Sequence, residues 1–529
     1  MRQIINRTHI LSAAGIAAVL FTGFYITHLH QQQELFDPAG LQLTWQQDPT
    51  STMTIDWHTT PDQRPDESIL EYRKSGSEAW ETITAEDLDY PFSNRKIHRV
   101  ELTGLEADTN YRFRFGNNSE QYTFRTMPEH LSDRDVIFAT GGDTRLETKW
   151  LEKTNTAVMD YDLDFVVWGG DLAYANGLAR RVNLWHEWFE ANKNTLITED
   201  GRVIPIIAGI GNHELRRDGG KNYWFEYDNY EQTDSWRNEY APYYFAFFPF
   251  PGQPGYDVLD FGNYMSLFLL DTDHANPVEG EQTDWLEQEL QQRQEQNVRH
   301  VYPVYHVPAY PSHQDFNGRS NTEVREHWVP LFEEYGVQVA FENHDHAYKR
   351  TYPIRDGDYA ADGIVYIGDG AWGVPTRHGE NQYDWYINEF AGERHGIIAT
   401  IGQNEEHYIT VNEDGEVIDT YETDHREQLA RTAAPLDFDL ESNFPNPFNP
   451  FTTIRYRLPV DSHVELNVYD AGGRKVETIV DETRSQGYHA ATFVAQDLAS
   501  GVYVYRIVAT PSHGSEDPFI ETRKMTIMK

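Results

Sequence analysis

Hydrophobic and polar positions along the chain fall into three rhythms. At 41–45, 53–57, 69–72, 98–102 and 110–115, apolar and polar residues alternate at period two, with Pro, Asp, Gly and Asn between the runs. Period two puts alternate side chains on one face, so residues 38–128 are predicted to form a β-sandwich. From Asp133 onward the apolar runs become continuous and alternate with helical stretches such as 283–290. That change predicts an α/β domain over 132–425, with mixed sheets flanked by helices. Alternating strands return at 453–458, 463–469 and 501–507, which predicts a small second sandwich over 441–529 after a linker at 426–440. Before all of these, Arg2 and Arg7 precede an apolar stretch from Ile10 to Ile26. Residues 1–30 therefore read as an export signal peptide or an uncleaved anchor.

Charge and composition narrow the functions open to such a chain. With 43 Lys+Arg against 85 Asp+Glu, its net charge is −42, the opposite of what a phosphate backbone recruits, so no nucleic-acid binding is expected. The absence of cysteine excludes disulfides, thiolate metal sites and thiol nucleophiles. Any metal must then rest on oxygen and imidazole donors.

In the middle domain, polar clusters repeatedly follow apolar runs. Run 136–140 leads to Asp143, run 165–168 to Asp171 and Tyr174, and run 204–208 to Gly211, Asn212, His213 and Glu214. Run 301–305 leads to His306, and run 337–341 to Asn343, His344, Asp345 and His346. Ligands of α/β sheets bind at the carboxyl ends of strands, so five strand ends are expected to converge on one rim. The collected donors Asp143, Asp171, Tyr174, Asn212, His306, His344 and His346 suit two hard or borderline cations. A carboxylate such as Asp171 can bridge such a pair about 3.5–4 Å apart.

These motifs, in this order, resemble the metallophosphoesterase superfamily and in particular the purple acid phosphatases. Further matches lie at 344–354, 240–244 and 364–370, and a fibronectin type III-like domain before the catalytic one is usual in such enzymes. Most metallophosphoesterases carry D-x-H in the first motif, but here Asp143 is followed by Thr144 and Arg145, and an always-cationic Arg cannot ligate. Tyr174 can fill the vacancy. The resemblance implies an Fe(III) site of Asp143, Asp171, Tyr174 and His346, and a divalent site (Fe, Zn or Mn) of Asp171, Asn212, His306 and His344. It further implies hydrolysis of phosphate monoesters by metal-activated hydroxide, with no covalent phospho-enzyme. His213 would contact the phosphate or transfer a proton, and His313 would contact phosphate or protonate the leaving group. Arg145 either reaches the phosphate or pairs with a carboxylate. Asn343, where Gly is usual, suggests a left-handed backbone position. The aromatic-rich segment 222–256 either walls the pocket or packs onto the domain.

At the C-terminus, the run Asn-Phe-Pro-Asn-Pro-Phe-Asn-Pro at 443–450 and the segments 468–474 and 498–505 resemble the C-terminal sorting domain of type IX secretion cargo. That resemblance implies a partnership with the secretion machinery and a secreted or cell-surface location in a Gram-negative bacterium. Two other readings stay open: a phosphodiesterase or nucleotidase with the same metals, and a non-catalytic adhesion protein.

Overall fold

The computed structural model describes residues 35–424 and 438–528, apart from 61–67, 117–118, 219–220, 223–232, 361, 441, 444–445, 449–450, 485, 496–497 and 513–517. The expected export segment, most of the expected linker and part of the aromatic-rich segment lie outside the described residues.

The N-terminal region folds as two facing four-stranded antiparallel sheets. Expected strands appear at Ala39–Thr44, Met53–Thr59, Ile69–Lys74, Lys96–Leu102 and Asn110–Phe115, joined by the short polar strands Glu81–Thr84 and Glu86–Asp89 and by Tyr122–Arg125, which buries Tyr122 and Phe124. The backbone N–H of Glu106 donates to the Tyr111 hydroxyl at 2.9 Å, the back-bonded tyrosine of fibronectin-like sandwiches. Strand Met53–Thr59 is buried along its whole length, rather than on alternate residues. Its second face meets the central domain, where the His58 ring lies edge-on to Phe189 at 4.5 Å.

Two sheets stacked face to face build the central domain. In the six-stranded sheet, Ile206–Ala208, Phe165–Trp168 and Val136–Gly141 run parallel, and His395–Ile401 continues it antiparallel. In the seven-stranded sheet, Met265–Leu270, His300–Tyr305, Val339–Glu342 and Val365–Gly368 run parallel. Residue parity divides the layers. Phe138, Phe165, Val167, Val304 and Phe341 face the space between the sheets, where the Phe138 and Phe165 rings stack at 5.0 Å. Ala139, Val166 and Trp168 face outward beneath helices Thr148–Val158 and Val182–Thr195. On the other outer face, Phe268, Tyr305 and Ala340 pack with Leu286 and Leu290 of helix Glu281–Gln296. Continuous apolar strands arise because both faces are covered.

From the aromatic-rich segment, Tyr243, Tyr244, Phe247 and Phe248 pack into the core under the six-stranded sheet. The C-terminal region forms a three-stranded and a four-stranded antiparallel sheet around Ile454, Leu466, Tyr505 and Ile507.

His395 is fully buried against Tyr348, and burial lowers its pKa to about 4. The folded state therefore binds fewer protons than the unfolded state between about pH 4 and the ordinary histidine value of about 6.5. Its stabilising contribution is complete above about pH 7 and is lost as the pH falls through 4, amounting to about 3 kcal/mol. Thermal unfolding of wild type and His395→Gln between pH 7.5 and 4 should show a shallower acid slope for the variant. Identical slopes would contradict this assignment.

Candidate metal centre

The carboxyl ends of both parallel strand sets open on the same rim. Asp143 and Asp171 follow strands of one sheet, and His306 and His344 follow strands of the other. Backbone bonds knit the loops together. The Asp143 N–H donates to Gly170 O and the Thr144 N–H to Asp171 O, each at 3.0 Å, and the Asn343 N–H donates to His306 O at 3.0 Å.

Five of the seven expected ligands occupy the left-handed backbone region: Asp143 (φ 56°), Asp171 (55°), Tyr174 (56°), His344 (79°) and His346 (57°). Such a conformation costs an L-residue about 1–2 kcal/mol, and a cluster of them marks a site whose side-chain directions matter more than local comfort. Small neighbours make room for it. A Cβ on Gly211 would stand 2.4 Å from Asp171 Oδ1, and one on Gly370 would stand 2.1 Å from Asp143 Oδ2. Asn343 is not left-handed, contrary to expectation; the strain falls on His344 next to it. The Asn343 amide instead donates to Tyr305 O at 2.8 Å and fills the space beside Gly142 and Gly169.

Six of the seven expected donors are brought together, and the backbone N–H of His344 joins the two halves by donating to Asp143 Oδ2 at 2.9 Å. The Tyr174 hydroxyl donates to Asp143 Oδ1 at 2.9 Å and lies 3.2 Å from His346 Nε2, which is itself 3.0 Å from Asp143 Oδ1. On the other side, His306 Nε2 is 3.2 Å from Asp171 Oδ2 and 3.1 Å from His344 Nδ1. One donor atom each from Asp171, His306 and His344 lie within 4.8 Å of one another. Asn212 Oδ1 is buried with no hydrogen-bond partner. Acceptor lone pairs crowded at such distances, beside an orphaned amide oxygen, fit cations.

The electrostatics agree. Burial opposes charge on Asp143 and Asp171, but the neighbouring imidazoles, His346 for Asp143 and His306 and His213 for Asp171, hold both carboxyls below their ordinary range. Burial also works against charge on His306, yet Asp171 raises its pKa to about 9. Burial, with Asp143 and Asp171 alongside, keeps the Tyr174 phenol far above 10.

His213 joins the cluster from the side. Its N–H donates to Asp171 Oδ1 at 2.6 Å, its ring packs on Tyr174 at 4.1 Å, and Nδ1 lies 2.5 Å from Asn176 Oδ1. That bond assigns the proton to Nδ1 and leaves Nε2, 3.9 Å from Asp171 Oδ2, facing the cluster. His313 is half-buried on a neighbouring loop, with Nδ1 on His378 O at 2.9 Å. Arg145 is not brought to the cluster. Its guanidinium pairs with Glu187 and donates to Thr148 Oγ1 at 3.2 Å, which is the carboxylate alternative.

Several supporting residues carried no separable signal in the sequence. Glu214, fully buried, accepts the N–H groups of Asp171, Leu172 and Gly211 at 2.8, 2.8 and 2.9 Å and so pins the loop that aims Asp171. Its place directly after Asn212 and His213 was the available clue. Asp345 accepts the N–H groups of His313 and Gln314 at 2.7 and 3.1 Å, and buried Lys349 pairs with Glu342 beneath it.

Comparison with known proteins agrees with this geometry. Residues 130–348 match the model of calcineurin-like phosphoesterases. The central domain is a calcineurin-like phosphoesterase domain. It follows a purple acid phosphatase N-terminal domain at 38–126 and precedes a secretion system C-terminal sorting domain at 442–516, which marks a secreted or cell-surface protein. The phosphoesterase domain implies a binuclear metal site, and the buried Asp/His group stands where its strand ends meet. An uncharacterized protein of Mycobacterium tuberculosis is 25% identical over 355 residues, covering 60% of this chain but only 63% of that protein. Purple acid phosphatase 18 of Arabidopsis thaliana is 24% identical over 363 residues, covering 66% of this chain and 76% of that one. A solved purple acid phosphatase from yellow lupin (Lupinus luteus) seeds superposes with TM-score 0.60 at 19% identity, over 74% of this chain and 75% of that chain, which is a likeness of fold.

Proposed function

We propose that this phosphoesterase domain is a binuclear metal-dependent phosphomonoesterase of the acid phosphatase type, acting outside the cell after export by type IX machinery. The observation that carries the reading is the meeting of six nitrogen and oxygen donors from four strand ends, five of them on left-handed backbone. Asp143, Tyr174 and His346 would hold Fe(III), Asn212, His306 and His344 a divalent Fe, Zn or Mn, and Asp171 would serve both. The bound pair would supply hydroxide near neutral pH and offset the charge developing on the phosphoryl group. Tyr174 ionises only if that cationic charge outweighs burial and its two carboxylate neighbours. Glu214 keeps Asp171 directed at both sites, and Asn176 fixes the His213 ring so that Nε2 can exchange a proton with the phosphate. His313, held at Nδ1, has Nε2 available to protonate the departing alkoxide.

Rates on phenyl phosphate, diphenyl phosphate and a nucleoside monophosphate test the substrate class. The expected order places phenyl phosphate well above its diester. A diester cleaved faster than the monoester would replace this reading with a phosphodiesterase.

A further inference from the structure

The net charge of −42 should repel phosphate esters, so the site needs a cation of its own beside the metals, and Arg145 is already paired with Glu187. Arg377 is differently placed. Its backbone N–H donates to His346 O at 2.9 Å, its Nη1 lies 3.4 Å from His344 O, and Pro375 O, two residues before it, lies 3.2 Å from His346 Nδ1, so the loop bearing Arg377 is tied to the H-x-H pair.

The loop that carries it is built rather than loose. Asn381 donates from its backbone to Ser312 O at 2.9 Å and from its side chain to Pro311 O and Gln314 O at 3.1 and 2.6 Å. Tyr386 donates to Pro311 O at 2.8 Å, and a Cβ on Gly379 would stand 2.5 Å from the Phe390 ring. These bonds fasten the Arg377 loop to the one bearing His313 and Gln314.

Several other arginines of the domain are neutralised, while Arg325 spends its guanidinium on the carbonyls of Ala309 and Phe316. Arg202 pairs with Asp162, Arg293 with Asp260, Arg350 with Asp419 and Arg394 with Glu413. Among the described residues, half-buried Arg377 has no carboxylate within ion-pair distance, although the chain holds 85 acidic residues. Buried Asp345, the acid nearest in sequence on the H-x-H loop, spends one oxygen on the N–H groups of His313 and Gln314. Asp345 lies close enough to feel the Arg377 charge but is not within ion-pair distance, and a planar guanidinium with no direct carboxylate partner is suited to bidentate binding of an external oxyanion.

We propose that Arg377 binds substrate, pairing with a phosphate or carboxylate oxyanion of the ester at the rim of the metal centre. The proposal rests on the phosphatase reading above. The oxyanion belongs either to the phosphoryl group under attack or to an anionic leaving group.

Metal-loaded wild type, R377Q and R377K separate these sources. Calorimetric titration with inorganic phosphate measures binding without turnover, and kcat and KM on phenyl phosphate and 4-carboxyphenyl phosphate locate the contact. R377Q should weaken inorganic phosphate binding and raise KM on both esters about tenfold or more, with kcat little changed, metal content retained and partial recovery in R377K. A KM increase confined to the carboxyphenyl ester supports the same oxyanion role and assigns it to the leaving group. Unchanged phosphate affinity and unchanged KM on both esters would overturn the proposal, as would loss of metal from R377Q, which makes the residue a support of His344 and His346. If wild type hydrolyses neither ester, the phosphatase reading fails, and the phosphate titration still decides for or against Arg377.

Discussion

Replacing Asp171 by alanine should lower phosphatase activity by about three orders of magnitude or more and deplete bound metal. The carboxylate stands between the two donor groups, with Oδ2 3.2 Å from His306 Nε2 and Oδ1 accepting the His213 N–H at 2.6 Å. On the proposed assignment its loss would remove a ligand from both cations, and it removes a fixed point for His213 as well. Metal-assisted stabilisation of the transition state is worth several kcal/mol, and each 1.36 kcal/mol is tenfold in rate, so about a thousandfold is the smaller end of the expectation. Steady-state kinetics and elemental analysis of the variant give the answer. Activity within tenfold of wild type, with metal retained, would remove Asp171 from the centre.

The second large effect concerns folding. Glu214→Ala should destabilise the catalytic domain by about 3 kcal/mol or more, because it strands the buried N–H groups of Asp171, Leu172 and Gly211, each costing about 1–3 kcal/mol when left unsatisfied. Two of those donors sit in the loop that holds Asp171 at φ 55°, a conformation that must be stabilised by its surroundings. Urea unfolding followed by tryptophan fluorescence should show the loss, with Glu214→Gln milder because one acceptor oxygen remains. Wild-type stability in Glu214→Ala would mean that the loop is held by other contacts.

Much of this arrangement was legible before any coordinates. Periodicity separated the sandwiches from the α/β region, because a strand covered on one face alternates and a strand covered on both does not. The same logic failed at Met53–Thr59, where docking onto the central domain buries the second face of a strand that belongs to a sandwich. The six donors that meet were readable because their motifs follow apolar runs and strand ends gather ligands. Arg145 was ambiguous because an Arg two residues after Asp143 has no period to show where it points; only the folded chain brings Glu187 within reach. Arg377 left no sequence signal, since it follows no strand directly and approaches His344 and His346 through the long-range pairing of Val339–Glu342 with Val365–Gly368. Glu214 and Asp345 were visible as letters inside motifs, but their roles depend on backbone N–H directions that a sequence does not display.

On the function proposed above, two metal ions, one of them tyrosinate-bound iron, would sit among these residues. Elemental analysis and a visible spectrum of one purified, active sample decide whether they do. Two metal ions per chain are expected, at least one of them iron, with a charge-transfer band in the oxidised protein that vanishes in Tyr174→Phe. Full phosphatase activity in protein holding less than one metal ion per chain would contradict the account, and a colourless, iron-loaded, oxidised sample would contradict the role of Tyr174.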